Sequence, residues 1–220
     1  MMQVKICGIT DSRDARAAAE AGAAALGFIF YPPSPRFITP DDAKKIIAAL
    51  PESVVRVGVF VNEKIETVKK ISAALALDMI QLHGDESPDY CRQFQSARVI
   101  KALHLKSSRD VEAAAAYEAA AILADSRRRD LYGGTGEKSD WKLARDLKNR
   151  KPLILSGGLG PENIKDALTA VAPDAVDINS GVESAPGKKD HEKLQCVFDT
   201  LRAYHDESQP CRMVFSKRTI

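Results

Sequence analysis

The sequence predicts an α/β protein of one domain, a (β/α)8 TIM barrel with a parallel eight-stranded core. Three observations carry that prediction. Eight short apolar runs alternate with segments of helical period along the chain. No linker, low-complexity tract or composition break interrupts them. The length, 220 residues with 45% hydrophobic and 28% charged side chains, is ordinary for a single closed barrel with one substantial core.

The strand-like runs are QVKIC (3–7), ALGFIF (25–30), VVRVGVFV (54–61), MIQLH (79–83), RVIKALH (98–104), AAILAD (120–125), PLILS (152–156) and AVDIN (175–179). Helix starts lie between them: Asp11 and Ser12 before an alanine-rich run, Thr39-Pro40 before DDAKKIIAAL, Ser87-Pro88 before DYCRQF, and Gly160-Pro161 before ENIKDAL. The last helix is expected between Asp190 and Tyr204. Repeated strand–helix units demand parallel strands joined by right-handed crossovers, and at this length a closed barrel fits better than a doubly wound sheet. The barrel is expected over residues 1–204. Residues 205–220, HDESQPCRMVFSKRTI, follow with no predicted partner element and read as an appended tail.

A formal charge of +2 supplies no field that would draw the protein to nucleic acid or a membrane surface. The densest basic run, Arg127 to Arg129, is followed at once by Asp130 and reads as a solvated loop. Cysteines 7, 91, 196 and 211 show neither C-x-x-C spacing nor a dense disulfide pattern, so free thiols in a reducing cytosol are expected. The first strand begins at Gln3, leaving no room for a signal segment, and no apolar run approaches the roughly 18 residues of a membrane span. A cytoplasmic monomer or homodimer is expected.

In a barrel the carboxyl ends of the strands carry the chemistry. Cys7 ends the first strand. A lone cysteine there is ordinarily a small buried hydrophobe, but this position favours a reactive thiol. Two loops suit phosphate: LSGGLGPENI (155–164), through Gly157 and Gly158, and DINSGVE (177–183), through Ser180 and Gly181. Small residues let backbone N–H groups approach an anion, and these are the loops after strands seven and eight. Asp125 ends strand six, before a third glycine-rich loop, DLYGGTGEKSDW (130–141), that reads as a lid. Arg36, on the proline-stiffened YPPSPRFI, suits bidentate capture of a carboxylate. His83 ends strand four and has a capping or packing role as its alternative. Period two from Cys7 and from Asn179 turns Lys5 and Asp177 inward on neighbouring strands, predicting a buried ion pair.

These pieces, in order, resemble the phosphoribosylanthranilate isomerases of tryptophan biosynthesis. The matching strings are VKICGIT (4–10), SPR (34–36), VGVFVNE (57–63), QLHG (81–84), DS (125–126), YGGTG (132–136), DW (140–141), SGGL (156–159) and SGVESAPGKKD (180–190). The resemblance covers residues 3–204 and implies an acid–base Amadori rearrangement of N-(5-phosphoribosyl)anthranilate, with no metal or redox cofactor. It matches Cys7 to the general base, Asp125 to the general acid, Arg36 to the group holding the anthranilate carboxylate, and the two glycine loops to the phosphate site. His83 matches a residue of the active-site mouth. Asn179 departs from the family's more usual serine; a backbone contact to phosphate survives that change, a hydroxyl contact does not.

Near pH 7 a free cysteine (about 8.5) is mostly thiol and a free aspartate (about 3.9) mostly carboxylate, the wrong forms for base and acid. Lys5, one pleat below Cys7 at roughly 6 to 7 Å, is expected to favour the thiolate. A neighbouring thiolate and partial burial would favour protonated Asp125. Two alternatives are an indole-glycerol-phosphate synthase, which calls for lysine and glutamate at strand ends where this chain has cysteine, and a catalytically silent phosphate-binding barrel, against which both Cys7 and Asp125 argue.

Overall fold

In a computed structural model, which describes residues 2–125, 141–204 and 212–217, eight parallel strands close into a barrel in sequence order. They are β1 Gln3–Cys7, β2 Ala25–Ile29, β3 Val55–Phe60, β4 Met79–Leu82, β5 Val99–Leu103, β6 Ala121–Asp125, β7 Leu153–Ser156 and β8 Ala175–Ile178. The helices are α1 Ser12–Ala21, α2 Pro40–Ile47, α3 Ile65–Ala74, α4 Pro88–Cys91, α5 Ser108–Ala113, α6 Trp141–Lys148, α7 Ile164–Val171 and α8 His191–Ala203. The basic run 127–129 and the glycine-rich loop at 130–140 lie outside the described residues.

Local chemistry starts several helices where the sequence predicts. Asp11 accepts from the N–H groups of Arg13 and Asp14, Thr39 caps α2 ahead of Pro40, Ser87 caps α4 ahead of Pro88, and Asp190 caps α8. Two helices differ from expectation. Residues 160–163 form a turn, because Asn163 Oδ1 takes the Gly160 N–H (3.0 Å), so α7 begins only at Ile164. The α4 helix spans four residues before a turn leads to a 3-10 segment at Ser96–Arg98. A short antiparallel hairpin not foreseen from the sequence, β9 Glu183–Ala185 with β10 Lys188–Lys189, follows a 3-10 turn at Ser180–Val182.

Strand alternation divides the core. Val4, Ile6, Leu26, Phe28, Ile122 and Leu155 face the helix layer, whereas Ala25, Val55, Val57, Met79, Ile100, Leu123 and Ile154 fill the barrel interior. On β1 the inward set is Gln3, Lys5 and Cys7. Lys5 stands in register with Asp177 of β8, and its Nζ lies 2.7 Å from Asp177 Oδ1 with both side chains buried. Burial alone would lower the Lys5 pKa, but Asp177 overrules it and holds the ammonium above its ordinary value. Gly27, in register with Cys7, makes room for this: a Cβ there would stand 2.7 Å from Cys7 Sγ and 3.1 Å from Lys5 Cε.

Asp177→Ala is therefore expected to lower stability by about 3 to 5 kcal/mol by stranding the buried ammonium, and Lys5→Met/Asp177→Leu to recover most of that loss. Urea unfolding near neutral pH measures both. A loss for Asp177→Ala below about 1 kcal/mol, the size of an exposed pair, would contradict a buried, ionised bridge.

Candidate active site

At the carboxyl ends of the strands two clusters face each other, with β7 and β8 between the strands that carry Cys7 and Asp125. The first surrounds Cys7, which is 4% exposed. Arg36 reaches over from the loop after β2, and Glu183 grips one edge of its guanidinium: Nε donates to Oε1 (2.8 Å) and Nη2 to Oε2 (2.6 Å). Nη1 makes no hydrogen bond among the described residues. Lys189 Nζ, buried behind, donates to Glu183 Oε1 (2.9 Å) and Asn179 Oδ1 (3.0 Å). The hairpin carrying Glu183 and Lys189 is anchored from below by Asp14, which accepts from the Lys189 N–H (2.7 Å) and contacts His191 Nε2 (2.8 Å).

The charges in this cluster act on one another. Glu183 is buried, which would raise its pKa, yet Arg36 and Lys189 hold its carboxyl below the ordinary range. Its ion pairs contribute stability above the unfolded carboxyl pKa, and that stability is lost as pH falls through the depressed folded value. Burial lowers Lys189 despite Glu183. Burial likewise raises the Cys7 thiol; Lys5 and Lys189 pull it down, while Asp177 pushes it further up. Lys5 thus acts in the expected direction, but desolvation outweighs it and its own partner carboxylate offsets part of its charge.

The second cluster holds Asp125. His83, just past β4, places Nε2 3.1 Å from Asp125 Oδ2, and the Gln81 amide meets His83 Nδ1 at 2.7 Å. With the amide donating to Nδ1, the ring proton sits on Nε2 and is donated to Asp125. Gln81 is fully buried, and its Oε1 has no partner among the described residues. His104 Nδ1 lies 3.0 Å from the Asp125 carbonyl oxygen. A cavity of about 370 Å³ opens here, lined among others by His83, Leu103, His104, Tyr117 and Asp125.

The two glycine loops come together beside β8. Gly157 and Gly158 adopt φ of 99° and 70°, which side-chain-bearing residues rarely take. Gly181 backs directly onto the other loop: a Cβ there would lie 1.9 Å from the Leu159 carbonyl oxygen. Residues 157–160 and 180–182 thus form one backbone-rich surface. All eight residues singled out from the sequence stand at this end of the barrel. Glu183, Lys189 and Gln81 were not singled out, although the quoted strings SGVESAPGKKD and QLHG contain them.

A (β/α)8 barrel with titratable side chains and glycine loops at its carboxyl mouth has the layout of a barrel enzyme. The model of the family described as N-(5′phosphoribosyl)anthranilate (PRA) isomerase matches residues 4–200. The N-(5′-phosphoribosyl)anthranilate isomerase of Syntrophus aciditrophicus is 52% identical over 204 residues, 93% of this chain and 89% of that protein. That of Thermotoga maritima is 46% identical over 204 residues, 92% and 99% of the respective chains. A crystal structure of the Thermotoga maritima enzyme is similar with a TM-score of 0.86 at 45% identity, covering 93% of this chain and 100% of that one. A structure of phosphoribosyl anthranilate isomerase in complex with reduced 1-(o-carboxyphenylamino)-1-deoxyribulose 5-phosphate has a TM-score of 0.83 at 42% identity, with coverage of 93% and 100%. The chain belongs to the N-(5′-phosphoribosyl)anthranilate isomerase family.

Because burial raises the Cys7 thiol, its alkylation rate is expected to climb at a pH above that of a free cysteine, and Lys5→Met should move the climb higher still. Iodoacetamide kinetics against pH, with Cys91, Cys196 and Cys211 replaced by serine, measures the shift. An unchanged profile in Lys5→Met would exclude Lys5 as a charge acting on the thiol.

Proposed function

We propose that the chain converts N-(5′-phosphoribosyl)anthranilate to 1-(2-carboxyphenylamino)-1-deoxyribulose 5-phosphate, a step of tryptophan biosynthesis, with Asp125 as general acid and Cys7 as general base. Family membership carries the reaction. The placement of a thiol and a carboxyl on opposite sides of one mouth supports the roles. Asp125 gives its proton to the furanose ring oxygen, and the ring opens to a protonated Schiff base. Cys7 thiolate then takes the proton from C2, leaving an enolamine. Protonation at C1 and loss of the C2 hydroxyl proton give the ketone, and loss of a proton from Cys7 and uptake of one by Asp125 from solvent return both groups to their starting forms. No step requires an electron acceptor.

The remaining residues position the substrate. Glu183 occupies the Nε edge of Arg36, which directs Nη1 and its edge of the guanidinium toward the anthranilate carboxylate. The contact between the loops at 157–160 and 180–182 supports a shared phosphate cradle. Asn179 Oδ1 is engaged by Lys189, so any contact it makes there is through its N–H donors rather than that oxygen. His83 orients the acid. Among the described residues no helix is long and apolar enough to cross a membrane, which together with a biosynthetic role supports a cytoplasmic setting. A structure of monomers generated from the dimeric Thermotoga maritima isomerase has a TM-score of 0.82 to this chain, so both a monomer and a homodimer are compatible with the fold.

Cys7→Ala and Asp125→Asn are each expected to lower kcat by roughly two to four orders of magnitude with the fold retained. Fluorescence assay of anthranilate turnover under single-turnover conditions measures the chemical step, and near-parental rates would reject the assigned role. Arg36→Ala and Glu183→Gln should act mainly on KM and should weaken inhibitors that carry the anthranilate carboxylate more than those lacking it. Equal weakening of both inhibitor sets would reject carboxylate capture by Arg36.

A further inference from the structure

The end of the barrel opposite the site is closed by residues that the family match at 4–200 does not reach. Val214 and Phe215 are 3% and 2% exposed, and they belong to the apolar cluster of the barrel interior with Ala25, Val55, Met79 and Ala175. Those four are the first residues of their strands, so the segment enters through the amino-terminal mouth. The first residue of β1 receives it. Gln3 Oε1 accepts the backbone N–H groups of Val214 (2.6 Å) and Phe215 (3.0 Å), and Gln3 Nε2 donates to the Phe215 carbonyl (3.1 Å). Either side of this contact, the Arg212 N–H donates to Asp174 Oδ1 (3.2 Å), just before β8, and Lys217 Nζ donates to the Val54 carbonyl (2.6 Å) and Asp78 Oδ2 (3.2 Å), just before β3 and β4. Met213, between two anchored residues, is left 78% exposed.

This is selective recognition rather than collapse. Two apolar side chains enter an apolar pocket, a buried amide satisfies three backbone groups on the incoming segment, and acceptors at three strand starts take a flanking N–H and an ammonium. We propose that the amino-terminal mouth of the barrel is a peptide-docking socket, and that residues 212–217 of this chain are its occupant, a tethered plug that seals the barrel floor. The pattern that fits is adjacent Val-Phe with a basic residue two positions after the aromatic. The socket lies away from the catalytic mouth, so occupancy should change stability but not turnover.

Two variants test the proposal. In full-length Phe215→Asp, trypsin should cut after Arg212 and Lys217 at least about tenfold faster than in the parent, because the plug is released. kcat/KM should stay within about twofold, because the active site is at the other mouth. Equal cutting rates overturn the proposal, as does a kinetic defect in a variant that remains folded. In a chain ending at Tyr204, a fluorescent peptide of residues 210–220 should bind one to one, raise the unfolding temperature, and do neither when it carries Phe215→Asp. Should the truncated chain be unfolded alone, refolding by the parental peptide and not by the substituted one is the expected result; no difference between the peptides is the contrary one.

Discussion

An ammonium enclosed on every side is tolerable only beside an anion, and Lys5 with Asp177 sets the geometry around it. The pair fixes which face of β1 and β8 turns inward, since a shift by one residue would send both charges into the apolar layer beneath the helices. Cys7 and Asn179 sit one pleat further along those same faces, at the catalytic mouth. Gly27 follows from the same constraint: the space a side chain would take on β2 is already filled by Cys7 and the Lys5 stem. A charge pair in the interior thereby determines where the thiol is.

Much of this could be read from sequence because barrel strands and helix caps are local signals. Alternating runs located all eight strands to within a residue or two, and capping residues located the starts of α1, α2 and α4. The Lys5–Asp177 bridge was legible too, because strand parity and neighbour order suffice to derive it. Other features depend on distant partners and left no such trace. Glu183 meets Arg36 across 147 positions of sequence, and nothing in SGVESAPGKKD alone says which cation its carboxylate holds. The β9–β10 hairpin has too few residues to show a period. Residues 212–217 show no strand or helix pattern, and their burial depends on a glutamine at position 3 whose side chain could not be foreseen as the receptor.

Around Cys7 the described residues place three cations, Lys5, Arg36 and Lys189, against two carboxylates, Asp177 and Glu183. The surplus is one positive charge in a largely buried space. It does not by itself make a thiolate, because burial still raises the Cys7 thiol. It does make an incoming anion favourable, and a substrate bearing both a carboxylate and a phosphate supplies one. The arrangement spends its surplus on binding an anion rather than on bringing the thiol below its ordinary pKa.

The two ends of the barrel divide the work accordingly. At the carboxyl mouth, paired charges, a buried amide oxygen without a partner among the described residues and positive-φ glycines all sit where an apolar filling would be more stable, and the site bears that cost as enzymes do. At the amino mouth the reverse holds: small and aliphatic side chains at the strand starts close over Val214 and Phe215, and nearly every polar group in contact is matched. Stability lost at one end can be offset at the other because contributions from distant parts of one cooperative fold add. A tail appended at the floor is therefore a way to stabilise the barrel without touching the residues that do the chemistry.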